Sequence, residues 1–211
     1  MGKTKKRKVK KSKILLLILI ILFIIGVYIF IFKGNKKQTA TEIEVVDTID
    51  DFGYELNDNE TEYYNGLFNS LKDLLKNEGY DEEEYASLIG KLFLADFYDL
   101  NSKIMKSDVG GTQFVYESYR NDFESGAIDG VYKSIESNVY GDRKQDLPII
   151  TKVDVSNITT NVFKYNSTSD INAYYIDFDI TYKKNMGYPT QVSLVLIHNN
   201  NKLEVASMET K

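Results

Sequence analysis

The chain contains no cysteine and no tryptophan, a single histidine and two prolines. Without cysteine there can be no disulfide, thiolate metal site, cysteine nucleophile or lipoprotein-type lipid attachment. With His198 as the only imidazole, a zinc site of the usual type lacks donors, and a Ser-His-Asp triad would have to be built on that one residue. No Gly-x-Ser-x-Gly elbow is present. His198 stands at the mouth of the Asn-rich turn 199–201, where a solvated loop residue is expected rather than a catalytic base. Two prolines beside sixteen Tyr and eleven Phe speak against a disordered stalk. Acidic residues are missing from the first 41 positions, and all thirty-one come from Glu42 onward.

What stands in that acid-free stretch is a run from Ile14 to Phe32 made only of Ile, Leu, Phe, Val, one Gly and one Tyr. As a helix it would rise about 28 Å, close to the ~30 Å hydrocarbon core of a bilayer. The central Leu, Ile and Phe each favour insertion by roughly 0.3–0.6 kcal/mol, and no charge opposes it. A secretory signal peptide would have a shorter apolar core and a small-x-small cleavage site, and residues 33–41 offer no clean one. Myristoylation at Gly2 would want Ser or Thr at position 6, which is Lys6. The expectation is an uncleaved transmembrane signal anchor over residues 14–32, in contact with membrane lipid. Eight basic side chains from Lys3 to Lys13 precede it and three follow closely, so the N-terminus is expected in the cytoplasm and the bulk outside. Residues 1–13 then form a basic tail against anionic headgroups. Without aromatic side chains that tail is too small for a nucleic-acid domain. Beyond Lys37, fifteen basic residues face the thirty-one acids, so a total charge of −5 hides an outer part at −16.

After a linker at 33–42, residues 43–211 suit one extracytoplasmic domain, large enough to bury a core without staples. The lack of cysteine is unlike small secreted eukaryotic modules, and the wealth of Lys, Asn, Ile and Tyr fits an AT-rich bacterial genome. Ile43, Val45, Val46 and Ile49, then Phe52, Tyr54 and Leu56, suggest a short strand or extended lead-in. Asn59 with Glu62 makes a capping-box-like entrance to a helix striped by Tyr64, Leu67, Phe68, Leu71, Leu74 and Leu75, with Gly79 placed for a left-handed cap. Asp81 with Glu84 opens a second helix striped by Tyr85, Leu88, Ile89, Leu92 and Phe93, and the short link predicts a helical hairpin. A weaker third pattern uses Tyr119, Phe123, Ala127, Val131 and Ile135, with helix ending near Gly141. From Ile149 the period becomes two. Residues 153–162 alternate with one phase slip, Tyr174–Tyr182 alternate cleanly, and Val192–Ile197 and Leu203–Met208 complete an antiparallel meander.

Helices followed by strands predict an α+β domain, with helices packed on a curved antiparallel sheet. Behind a basic tail and one membrane helix, this order resembles the membrane-anchored members of the nuclear-transport-factor-like superfamily. The scaffold subunits of type IV secretion and Gram-positive conjugation machines are of that kind. The resemblance is one of layout over the whole chain and carries no site residues. It implies a cone-like fold and a role in assembling other envelope proteins.

Asp108-Val-Gly-Gly-Thr112 is the most distinctive string. Paired glycines allow positive φ and can turn N–H groups toward an anion, which makes Asp108, Gly110 and Gly111 candidate ligand contacts. No Gly-Lys-Ser/Thr follows, so it is not a phosphate loop, and a structural turn is the plainer reading. Asp96 and Asp99, beside Phe97 and Tyr98, are either the polar flank of the second helix or the lining of a cone interior, where burial raises a carboxyl pKa. Asn57-Asp-Asn-Glu60 lacks the spacing and central Gly of a calcium loop, and helix capping explains it. Asp177 and Asp179 read as the solvated side of a strand. Tyr63-Tyr64 and Tyr174-Tyr175 each put one ring inside and one out, and outward tyrosines suit an interface. No catalytic constellation, metal site or cofactor motif is recognised. The expected function is a non-catalytic, single-pass scaffold that binds other envelope proteins, with homo-oligomerisation left open. One rival is a small-molecule-binding or enzymatic domain with a deep apolar pocket reached by Asp96, Tyr98 or Tyr174. The other is an envelope sensor whose output is the tail.

Overall fold

A computed structural model describes residues 19–23, 25, 27 and 40–211. The expected tail 1–13 and most of the span 14–32 and linker 33–42 lie outside the described residues. Within the span, residues 19–23, 25 and 27 are helical with exposed apolar side chains. Among the described residues no helix is long and apolar enough to cross a membrane. The chain divides into Met1–Ala40 and Thr41–Lys211, and the strands and helices from Val45 onward belong to the second unit.

Val45–Ile49 (β1) and Tyr54–Asn57 (β2) pair antiparallel, with Ile49 opposite Tyr54. The expected lead-in is thus a hairpin, and Tyr54 and Leu56 join the core. Helix α1 spans Glu62–Leu75. Its cap is Thr61 rather than Asn59, because Thr61 is extended (φ −72°, ψ 158°) and its hydroxyl accepts the Tyr64 N–H at 3.2 Å. The later start leaves Glu60 outside the helix. Helix α2 spans Glu82–Tyr98, capped as expected by Asp81, whose carboxylate accepts the N–H groups of Glu83 and Glu84. From Leu92 to its end every residue is buried, so a helix enclosed on all sides replaces the expected stripe with a polar flank. Gly90 seats it on the sheet, since a Cβ there would overlap the Phe178 ring.

Two 3-10 turns, Thr112–Phe114 and Glu117–Tyr119, lead into α3, Arg120–Asp129. This helix stops well short of Gly141. The Gly130 N–H closes on the Gly126 and Ala127 carbonyls, the Tyr132 N–H closes on Ala127, and Tyr132 turns into the core. Val131 and Ile135, expected on the helical stripe, follow in turns and irregular chain.

β3 (Ile150–Tyr165), β4 (Thr168–Tyr182), β5 (Gln191–Asn199) and β6 (Lys202–Thr210) form one antiparallel sheet in that order. Asn166 (φ 51°) and Asn200 (φ 55°) supply the left-handed backbone of two hairpin turns. Against β4, strand β3 carries three register shifts where the sequence suggests one. Bulges of this kind bend the strand and add twist. At the hairpin tip Tyr165 meets Tyr116 edge-on, centroids 5.3 Å apart, and the Tyr119 hydroxyl donates to Asn166 Oδ1 at 3.4 Å. Tyr116 is itself held to β6 by its N–H on the Val205 carbonyl. The inner face presents Ile176, Phe178 and Ile180 of β4 and Val192, Leu194 and Leu196 of β5 to the core, where Leu92, Phe93 and Phe97 of α2 fill the space. The result is an α+β fold, helices packed on a curved antiparallel sheet.

Candidate functional site

The chain reverses after α2 and returns along it over residues 99–111. Asp99 organises the reversal, its carboxylate accepting the N–H groups of Ser102 (3.3 Å) and Ile150 (2.9 Å). Arg143 staples the loop by donating to the carbonyls of Asn101 and Lys103, each at 2.7 Å. Asp108 closes it by accepting the Ile104 N–H at 2.8 Å. Gly110 and Gly111 then press flat against α2. A Cβ on Gly110 would overlap the Asp96 carbonyl, and Gly111 sits at φ +77° beside Phe93. Their N–H groups are used internally, Gly110 donating to the Tyr132 hydroxyl at 3.1 Å and Gly111 to Asp96 Oδ2 at 2.6 Å. The glycine pair is a packing device. Both N–H groups are spent inside the fold, in line with the structural turn that is the plainer reading of the string.

The same reversal carries Lys103 back beneath the helix. Its ammonium lies against the Asp96 carboxylate, with the side chain 2% exposed. Glu60 Oε1 is 3.9 Å away on the other side. Burial disfavours the ammonium, but the Asp96 and Glu60 carboxylates outweigh it and hold the Lys103 pKa above its ordinary value. Burial, reinforced by Asp96 and only partly countered by Lys103, pushes Glu60 up to about 8. Burial also raises Asp99 against its two N–H donors. It raises Tyr132 as well, whose hydroxyl donates to the Phe97 carbonyl at 2.6 Å. Around this group opens a cavity of about 310 Å³ whose walls include Glu55, Asp108 and Glu124. Five carboxylates line it with one ammonium, so it is strongly acidic. Gln113 braces one wall, accepting the Glu55 N–H at 2.9 Å and donating to the Tyr64 hydroxyl at 3.1 Å.

Of the residues singled out in the sequence, Asp96, Asp108 and Gly110 line this cavity and Gly111 buttresses it. Tyr98 does not. It packs edge-on against Phe97 at 4.8 Å in the core, where burial raises it to about 12. Tyr174, on β4, faces the start of α2 and donates to Glu82 Oε2 at 3.2 Å, and burial followed by Glu82 raises it to about 12. Glu60 ends the Asn57-Asp-Asn-Glu60 string assigned to helix capping; the cap is Thr61 instead, and Asn57 and Glu60 line the cavity. Lys103 carries no local sequence signal. Lys103 follows Asp96 by seven positions, a spacing that acquires meaning only once the chain turns back.

His198 is not a loop residue. Strand β5 carries it to the same end of α2, with Nδ1 2.8 Å from Asp170 Oδ2 and Nε2 3.3 Å from Glu82 Oε1. Burial opposes the Asp170 charge, but the N–H groups of His198 and Asn172 hold its carboxyl below the usual range. Bonded to Asp170 through Nδ1 and close to Glu82 through Nε2, the imidazole stands where α2, β4 and β5 meet.

On the sheet face away from α2, Tyr175, Val195 and Ser207 stand in one cross-strand row, and Asn157, Asp177, Ser193 and Glu209 in the next. A groove of about 380 Å³ runs across these rows with Phe163 as a wall. Phe163 meets Tyr175 edge-on at 6.3 Å and stacks on Tyr165 at 6.1 Å. Val162 and Ile171 nearby are 47% and 69% exposed. Asp177 is held below its ordinary range first by Lys211, 2.7 Å away, and then by Ser193. Among the described residues no group of three or more Asp, Glu or His could hold a metal ion.

No family model matches the chain, and comparisons with curated proteins and with solved structures return no match.

Proposed function

We propose that this chain is a membrane-anchored, non-catalytic scaffold whose α+β domain lies outside the cytoplasm and docks another envelope protein on the outer face of its sheet. The observation that carries the reading is the groove lined by Phe163 and Tyr175, with Tyr165 stacked on Phe163 and with Val162 and Ile171 exposed on the same two strands. Half-buried aromatic rings on a sheet face supply large, rigid anchors of the kind enriched at protein interfaces. Asp177 and Glu209 border the groove and favour a partner with basic side chains around an apolar centre. The apolar run 14–32 and the basic tail supply anchor and orientation. Helices on a curved sheet agree with a cone-like fold, and the layout agrees with an assembly role in secretion or conjugation.

A photo-crosslinking residue at Tyr175, activated in intact membranes, tests the reading. Adducts with one or a few discrete proteins are expected from Tyr175 and none from the same residue at exposed Glu78. Lipid adducts alone, or equal labelling from both positions, would overturn it.

A further inference from the structure

Glu60 is the unmatched carboxylate of the acidic cavity. Its side chain is 5% exposed, yet among the described residues no donor hydrogen-bonds it, and the nearest, Lys103 Nζ at 3.9 Å, is held by Asp96. A largely buried carboxyl with no hydrogen bond from the protein is free to accept N–H groups from a ligand that enters the cavity. The charge around it points the same way. Lys103 and Asp96 neutralise each other, which leaves Glu55, Asp108 and Glu124 facing the space beside Glu60. The Gly110 and Gly111 N–H groups are engaged by Tyr132 and Asp96 and offer an anion nothing. At about 310 Å³ the space is the size of a small organic group.

We propose that this cavity binds an organic cation, a primary ammonium or guanidinium head, whose N–H groups bond to the Glu60 carboxylate and to the Asp108 oxygen not used by Ile104. The head can belong to a free amine or to a Lys or Arg side chain of a partner protein. Glu60 is faced by Tyr64 from α1, Asp96 from α2, and Asp99, Lys103 and Asp108 from the loop, with Glu55 and Glu124 also on the cavity walls. Burial, then Asp96, keeps its carboxyl protonated up to about 8, while cation binding requires the carboxylate. Affinity therefore rises with pH through that range, and binding releases a proton.

The test uses the full chain in detergent micelles, titrated with butylammonium and with butylguanidinium. Tetramethylammonium, which lacks N–H groups, and inorganic phosphate serve as controls. Amide shifts of Gly110 and Gly111 and calorimetry report binding. Saturable binding of at least one N–H-bearing cation is expected, tighter by about tenfold or more at the alkaline end of a titration spanning the Glu60 pKa. Glu60→Gln should weaken it by about tenfold and flatten the pH dependence while keeping the parental unfolding midpoint in mild acid. Asp108→Asn serves as the second variant should Glu60→Gln fail to fold, and it too should weaken binding. A lysine peptide compared with its acetyl-lysine form separates the sources: preference for free lysine assigns the site to a protein side chain, and binding of butylammonium alone assigns it to a free amine. No saturable shift with either cation, unchanged affinity in a folded variant, equal binding of tetramethylammonium, or a response to phosphate alone would overturn the proposal. The groove on the outer sheet face is tested separately by crosslinking, so either reading can fail without the other.

Discussion

Glu60 and Lys103 carry opposite formal charges in one buried cavity, yet the ammonium gives its hydrogen bond to Asp96. Replacing Lys103 by Met leaves Asp96 enclosed and uncompensated, an imbalance of about 3–5 kcal/mol that should appear as a large fall in the urea midpoint. Combining it with Asp96→Asn should recover a good part of the loss, because Asn keeps an acceptor for the Gly111 N–H. Glu60 acts on a different axis. Its folded pKa of about 8 lies above the ordinary 4.5, so between those values the native state holds a proton that the unfolded chain has lost. Stability is therefore greatest on the acid side of that window, declines as pH rises through it and levels off above it. Glu60→Gln should flatten this decline and leave the variant more stable than the parent in mild alkali, as read from urea midpoints across the window.

At the scale of elements, the two helical glycines of the hairpin make opposite predictions. Gly90→Ala drives a methyl into the Phe178 ring and should lose about 1–3 kcal/mol through overpacking. Gly66→Ala meets open space on α1 and should gain roughly 0.5–1 kcal/mol, both read by thermal unfolding. What could be read from the sequence divides along the same line. The Asp81 cap, the alternation of β4 and the meander rest on neighbours a few positions apart, and each forms as written. The end of α3 was not legible, since it depends on Tyr132 finding the Phe97 carbonyl thirty-five positions back. His198 abuts an Asn run that suggests a loop, while β5 pairing extends through Asn199 and places the ring beside Asp170 and Glu82. The Asp-Val-Gly-Gly string lies against the cavity because its glycines fit the α2 surface, while Glu60 comes from ahead of α1 and Lys103 from earlier in the same loop.

For the whole molecule the decisive property is the separation of charge, basic before residue 38 and net −16 after it, across an apolar run. The absence of native cysteine makes the topology directly testable. A Glu78→Cys chain should react with a membrane-impermeant maleimide in intact cells, and a Ser12→Cys chain only after lysis. The reverse pattern would place the folded domain in the cytosol. One further property of the whole concerns β3, sixteen residues long with a strand neighbour on a single side. Its three register breaks spoil a straight ladder, and the Tyr63 hydroxyl occupies Val153, accepting its N–H at 2.8 Å and donating to its carbonyl at 3.4 Å. A second copy drifting alongside meets a crooked and partly plugged margin. Along this edge, molecules at high concentration can therefore collide repeatedly without adding strand to strand.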